Sequence, residues 1–400
     1  MITENPKNTY DYIIAGGGMA GLSLAFYLSK STLKNKKILI IDREEKTKND
    51  RTWCFWEIGD NVFEEIIYRK WKTVNFKGKN FDKNLDIGNY NYKMLRGVDF
   101  YGFVLKEIKK NTNISFEFTN ILAIKNNEKS GIVETEKGIF IAKNFVFDST
   151  FRPNFDDPKD HNLLQHFKGF VIKTPENSFN PEIPVMMNFQ VEQKRNDCQF
   201  MYVLPIDERT AMVEFTLFSE KLLAEKEYDF ELKKYIKNDL QLVDYQVVEE
   251  EFGVIPMSDF CFNLFPNPHV LRIGISAGFA KPSSGYTFAR TQKNLQILVK
   301  DLEKFEDYPT YSAFKNQQKA SFFKKRFLFY DSVLLNVLQK KRHSAADVFT
   351  QLYQKNPATT IFRFLDEETN FWEELKIMNS TPRLKFIAAV FDVLWRKFKK

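Results

Sequence analysis

Cysteine and histidine are scarce in this 400-residue chain, which carries three of the first and four of the second. Cys54, Cys198 and Cys261 lie far apart with no CxxC pair, which argues against a disulfide framework and a structural zinc site. Four scattered histidines make a His-rich metal centre improbable, and no metal is expected. His161 and His166 are five apart, which suits neither one helix face nor a strand pair. No stretch approaches the roughly 18 uninterrupted apolar residues of a conventional membrane span. The first residues are polar and run straight into a strand, so no signal peptide is visible, and a reducing, cytoplasmic setting is expected. Internal repeats and low-complexity linkers are also missing.

What is present is ordinary in bulk, with 43% hydrophobic and 28% charged residues. That balance fits a globular chain, and the length suggests one large fold or two interleaved lobes. The net charge of +7 would suit nucleic acid or an anionic bilayer. The cations are mostly lysines dispersed among Asp and Glu, so a solvated surface explains them, and no nucleic-acid motif appears. The 41 phenylalanines fit a codon bias, a broad apolar cavity, or both.

The first chemistry stands at the N-terminus. Tyr10 to Ala15 is a short apolar run that reads as a buried strand. Gly16-Gly17-Gly18-Met19-Ala20-Gly21 follows at once, then a helical pattern over Leu22 to Ser29, then a second strand, Lys37 to Ile41, ending in Asp42. In this βαβ context Gly16 permits the tight turn and Gly18 lets the backbone approach a pyrophosphate. Gly21 allows close helix packing, and the helix N-terminus offers oriented N–H groups. Asp42 is placed for a ribose 2′-hydroxyl, which fits FAD or NAD and disfavours a 2′-phosphate. Leu271 to Arg290 (LRIGISAGFAKPSSGYTFAR) reads as strand, small-residue loop and helix start. Flavoproteins return to the flavin late in the chain with such a segment, a helix N-terminus facing the ring where reduced flavin carries negative charge.

With these motifs the chain resembles the lycopene cyclases, carotenoid β-cyclases of the FAD-dependent superfamily that includes geranylgeranyl reductases and aromatic hydroxylases. The resemblance rests on GGGMAG, Asp50 to Glu57 (DRTWCFWE), Phe145 to Ser149 (FVFDS), Gln165 to Gly169 (QHFKG), Met212 to Thr216 (MVEFT), Gly253 to Met257 (GVIPM) and Lys281 to Tyr286 (KPSSGY). It covers most of residues 10–290 and only loosely the rest. The family's acidic motif often carries two adjacent carboxylates, whereas this chain keeps only Glu214, which puts any mechanism needing both in doubt. The late flavin segment also has Ile275 after Gly274 where many superfamily members have aspartate.

The resemblance implies an acid-catalysed, redox-neutral ring closure: a terminal alkene is protonated, a neighbouring alkene attacks the tertiary cation, and a ring proton leaves. Such a site must hold a carboxylic acid protonated at neutral pH, which burial in an apolar pocket achieves. It must also stabilise a cation without offering a nucleophile, through aromatic faces or an anionic reduced flavin. Glu214 is the candidate acid, with a solvent-facing strand glutamate as the plain alternative. Trp53, Phe55, Trp56, Phe215, Ile255 and Met257 are the candidate substrate-lining residues, although the three aromatics of DRTWCFWE read equally as core. Gly16, Gly18, Met19, Ala20, Gly21, Asp42, Gly274, Pro282, Gly285 and Tyr286 are assigned to the FAD, with Asp148 or backbone groups at the ribityl hydroxyls. Arg96 looks like the superfamily arginine near the flavin, and Arg51 shares its candidacy. Both read equally as surface residues. NAD(P)H is the implied reductant, and lycopene and a monocyclic carotene are the implied substrates.

The expected fold is α/β: a Rossmann-type FAD-binding domain (1–160 and 256–300), an antiparallel-sheet substrate domain (161–255) and a helical C-terminal region (301–400). Part of 61–160 is open to either domain. Within it, strands are expected at Trp71 to Phe76, Ile114 to Phe118 and Gly131 to Ile141. Leu384 to Lys400 combines large apolar residues with a terminal Lys/Arg cluster and reads as either a packed terminal helix or an interfacial segment reaching a membrane surface. A peripheral position on the inner membrane is the expectation. Two other functions fit the same motifs, a hydroxylase or polyprenyl reductase consuming NAD(P)H, and a non-catalytic carotenoid- or flavin-binding protein.

Overall fold

The computed structural model describes residues 8–153, 157, 159–305 and 322–398, and the side chains of 322–325 and 397–398 lie outside that description. The first of three sheets is built on the apolar run near the N-terminus. Strand Thr9–Ala15 lies between Ile38–Asp42 and Gly138–Asp148, parallel to both. Ile114–Phe118 extends the parallel edge beyond Ile38–Asp42. Val270–Arg272 returns late in the chain to lie parallel to Gly138–Asp148. Ile13, Ile14, Ile40 and Ile41 are buried, as unbroken apolar runs require when both faces of a parallel sheet are covered. On one face, helix Met19–Ser29 packs through Gly21, where an added Cβ would lie 2.0 Å from the Gly16 carbonyl oxygen. Helix Phe288–Leu302 lies beside it: Gln292 donates to Ser23 Oγ at 2.9 Å and accepts from the Tyr27 hydroxyl at 3.0 Å.

The run Gly131 to Ile141, expected as one strand, is a hairpin of Gly131–Thr135 and Gly138–Asp148. Gly138 takes φ +135° at the turn, a conformation side chains disfavour. Ile121–Asn126 pairs with the outer strand of this hairpin.

The second sheet runs Gln246–Ser258, Asn162–Lys173, Thr210–Ser219, Cys198–Pro205, Val185–Asn188, Thr73–Gly78 and Phe81–Asp86. It is antiparallel except where Val185–Asn188 meets Thr73–Gly78. Residues 73–86 therefore share this sheet with the 162–258 strands. Helix Glu225–Asn238 covers one face through Phe170, Val213, Phe215, Tyr228 and Leu232. Since strand side chains alternate, Gln165, Phe167, Met212, Glu214, Glu251 and Ile255 point to the other face.

A small third sheet (Thr52–Ile58, Tyr90–Arg96, Arg69–Trp71) joins the two larger ones. Trp53 and Phe55 belong to the core under helices Met19–Ser29 and Phe288–Leu302. Trp56, from the opposite face of that strand, belongs to the core that the second sheet shares with the C-terminal helices. These helices are Phe322–Gln339, Ala345–Lys355, Ala358–Leu365, Phe371–Ser380 and Arg383–Phe398. Among the described residues, no helix is long and apolar enough to cross a membrane.

Candidate active site

The glycine turn and the acidic strand meet at one junction. Gly16 has φ +99°, the left-handed conformation the tight turn requires. A Cβ on Gly18 would meet nothing within 4 Å, so the open side of the turn lies at the start of helix Met19–Ser29. That helix has no side chain capping its first N–H groups, which leaves oriented donors for an anion. Asp42 Oδ2 accepts the Gly17 N–H at 2.6 Å, and Lys46 lies 3.2 Å from Asp42 Oδ1. Gly274, at φ +63°, leaves only 2.7 Å between its virtual Cβ and that of Ala20. The late segment thus returns to the glycine-turn helix as its small residues suggest.

The next loop closes on itself: Lys281 N–H donates to the Tyr286 carbonyl at 3.0 Å, and Gly285 N–H to the Lys281 carbonyl at 2.8 Å. Gly285 has φ +70°. Buried Lys281 pairs with Asp331 at 2.9 Å and Glu367 at 3.0 Å, fixing the loop to the C-terminal helices.

Between this loop and the second sheet lies a cavity lined by Trp53, Phe167, Tyr202, Glu214, Tyr286 and Phe288, among others. Glu214 Oε1 accepts from the Thr216 hydroxyl at 2.6 Å. Burial, helped by the charge of Glu251, pushes the Glu214 carboxyl up to about 8, against the Thr216 hydrogen bond. The group is therefore a neutral acid at pH 7. Glu251 is also pushed up by burial, to about 7, while its bond from the Thr52 N–H, at 2.8 Å, pulls the other way. Two buried polar atoms of residues lining the cavity, Gln165 Oε1 and Ser284 Oγ, have no hydrogen-bond partner among the described residues, and the buried hydroxyls of Tyr92, Tyr202 and Tyr286 lie beside one another. Buried polar groups are ordinarily paired, so orphans converging on a cavity mark a place where a ligand's polar edge fits.

The sequence-predicted residues divide by position. Trp53 and Ile255 line the cavity with Glu214, as do Gly285 and Tyr286. Phe55 and Trp56 line an adjoining pocket with Tyr286, Phe288 and Asp366. There Trp56 stacks on Phe362 at 4.5 Å and its indole N–H reaches Asp366 at 2.9 Å. Met257 is fully buried two residues beyond Ile255 and packs in the core. Phe215 lines no part of the cavity: as the residue after Glu214 it points through the sheet, to Tyr228 under the covering helix. Asp148 turns into its own loop, its Oδ1 accepting from Thr150 N–H (2.8 Å), Thr150 hydroxyl (2.7 Å) and Phe151 N–H (3.2 Å), and so serves the turn. Arg96 pairs with Asp99 at 2.7 Å and lies over the Tyr68 ring at 4.0 Å. Arg51 is half exposed beside Asp50.

Sequence reasoning missed Glu251, Gln165, Tyr92 and Tyr202. Glu251 ends a run of three glutamates that reads as a charged edge, and only the strand register separates it from Glu250. Among the described residues, no group of three His, Cys, Asp or Glu side chains is arranged to hold a metal.

Residues 11–391 match the family described as lycopene cyclase protein. The chain is 23% identical over 320 residues to neoxanthin synthase of Solanum tuberosum, covering 74% of this chain and 61% of that protein. It is 23% identical over 301 residues to the lycopene beta cyclase of Capsicum annuum, covering 70% and 58%. The chain thus spans about three fifths of the length of these relatives. Among solved structures, a geranylgeranyl bacteriochlorophyll reductase-like protein from Thermoplasma acidophilum superposes with TM-score 0.67 at 14% identity, over 96% of this chain and 99% of that one. The fold is accordingly the Rossmann-type α/β fold that the two proteins share.

Proposed function

Because the chain belongs to the lycopene cyclase family, we propose that it is a lycopene β-cyclase, closing the linear ends of lycopene to β-rings through a monocyclic carotene without net redox change. The observation that carries this reading is the position of Glu214, a carboxyl on the wall of an aromatic cavity where burial raises its proton affinity. Its proton passes to the terminal double bond of the polyene end. The resulting tertiary cation is attacked by the neighbouring alkene, and the ring then gives up one proton, whose return to the Glu214 carboxylate restores the acid, so atoms and electrons balance. Trp53, Phe167, Tyr202 and Phe288 surround the acid, and their π-faces stabilise positive charge without adding to it covalently. A bound polyene end filling the cavity would displace water, the nucleophile that would otherwise trap the cation.

The glycine turn fits a dinucleotide by the open side of Gly18, the uncapped helix start and Asp42. Gly16, Gly18, Met19, Ala20, Gly21 and Asp42 would hold the phosphates and ribose of FAD, and Gly274 with Pro282 to Tyr286 would hold the ring end. Gln165 Oε1 and Ser284 Oγ, unpaired among the described residues on the same wall, suit its polar edge. A reduced flavin supplies negative charge beside a developing cation, with NAD(P)H as the electron source. The experiment that tests this reading against a reductase or hydroxylase is the ratio of nicotinamide oxidised to product formed under anaerobic turnover. A cyclase gives a ratio far below one after initial reduction, and a ratio of one overturns it.

The same reading gives the last helix a partner. Leu384, Ile387, Phe391 and Trp395 are 82%, 50%, 68% and 59% exposed, whereas Ala389 and Val393 on the opposite side are buried. Side chains at i, i+3, i+7 and i+11 share one face. Arg383 and Lys385 are exposed at its flanks. An apolar stripe with tryptophan, bordered by cations on a chain of net charge +7, suits the interface of an anionic bilayer, on its cytoplasmic face in this reading. The terminal Lys399 and Lys400 lie outside the described residues.

A further inference from the structure

We propose that Glu251 is the proton partner of Glu214, a positioning residue on another strand that stands in for the second carboxylate missing from the acidic motif. The inference rests on the cyclase reading for its meaning in turnover and on strand register for its geometry. Gly169 pairs with Glu214 on one side and with Glu251 on the other. Residues directly opposite one another in antiparallel strands project to the same face. The two glutamates therefore flank a position with no side chain. A Cβ at Gly169 would lie 3.6 Å from both Cβ and Cγ of Glu214 and 2.9 Å from Met212 Cε. Glu214 thus leans over the glycine, towards the strand of Glu251.

The surroundings of the two carboxyls differ. Glu251 accepts the Thr52 N–H at 2.8 Å, and the charged groups that face it are Arg51 and Asp50. Glu214 has Thr216 on its own strand, and the titratable groups around it are Glu251, Cys54, Tyr202 and Tyr286. No cation is among them. When the pair holds one proton, the negative charge therefore settles on Glu251, where a backbone donor and Arg51 favour it, and the proton stays on Glu214. Groups of similar chemistry pushed apart by their environments take the roles of acid and counter-charge. Glu251 raises the proton affinity of the acid and contributes no atom to the substrate.

Two strand spacings separate the backbones, about 10 Å, and the side chains close part of that distance. At an effective dielectric near 20, one charge at about 10 Å moves a neighbour's titration by roughly one pH unit. The test is infrared difference titration of the protonated carboxyl bands in the full-length protein, with the pH profile of kcat/KM on a lycopene-loaded vesicle measured beside it. Glu251→Gln keeps an acceptor for Thr52 and removes the charge. It is expected to lower the Glu214 midpoint and the alkaline limb of the pH profile by about one unit, while Glu251→Asp leaves both near the parent values. Glu251 ionises first, while Glu214 is still neutral, so Glu214→Gln should leave the Glu251 midpoint near its parent value, and Glu251→Ala supplies the uncharged comparison should Glu251→Gln not fold. An unmoved Glu214 midpoint in the uncharged Glu251 variant overturns the inference. Moved midpoints in a protein without cyclase activity sustain the pair and overturn the proposed function instead.

Discussion

Replacing Glu214 by glutamine is expected to make the fold more tolerant of alkali while removing its acid. The carboxyl is raised from 4.5 to about 8 in the folded chain. An unfolded chain binds the proton only below the ordinary value, so the folded state holds more proton across that window. Stability from this group is therefore fully present below pH 4.5 and is lost as the pH rises through 8. Each pH unit between the two values costs about 1.4 kcal/mol. From pH 5 to pH 8 the parent protein should lose about 3 kcal/mol that Glu214→Gln does not lose. Urea unfolding of both proteins at pH 5, 6.5 and 8, read as the difference in slope, removes every pH-independent cost of the amide. Parallel slopes would refute the reasoning, because Glu214 would then titrate as an ordinary surface carboxylate and be ionised at rest.

Four further outcomes follow from the structure. Gly18→Leu should leave the melting temperature of flavin-free protein nearly unchanged, since its Cβ meets nothing within 4 Å, and should abolish flavin co-purification by absorbance. Gly21→Ala, by contrast, forces a Cβ to 2.0 Å from the Gly16 carbonyl and should destabilise by roughly 2 kcal/mol or more in denaturant unfolding. Lys93, fully buried between Glu57 at 2.7 Å and Glu64, should cost roughly 2 kcal/mol when changed to Met, because Glu57 loses its cation while Glu64 keeps Lys70 at 2.8 Å. Phe391→Ser with Trp395→Ser should reduce flotation with anionic liposomes while leaving the fold intact by circular dichroism, and unchanged flotation would remove the helix as the contact.

How much was legible in the sequence depends on the range of the contact involved. The glycine turn, Asp42 and the return of Gly274 are local patterns whose geometry follows from missing side chains. Glu214 was legible through its motif, and alternation alone should have excluded Phe215 from its cavity, being the next residue on the strand. The hairpin at Gly138 was missed because apolar residues on both arms masked the turn glycine. Glu251 was not legible, because its partnership with Glu214 passes through Gly169 and two strand registers. The cluster of Tyr92, Gln165 and Ser284 brings together three distant segments in the same way. Lys93 reads as a surface lysine until Glu57 and Glu64 close over it.

The most direct test of the central claim is pigment analysis after expressing the chain in bacteria that accumulate lycopene, beside the Glu214→Gln variant. Monocyclic and bicyclic β-ring carotenes with the parent, and lycopene alone with an equally abundant, flavin-loaded variant, are the predicted result. Unaltered lycopene with the parent, or equal ring formation by Glu214→Gln, would contradict the account.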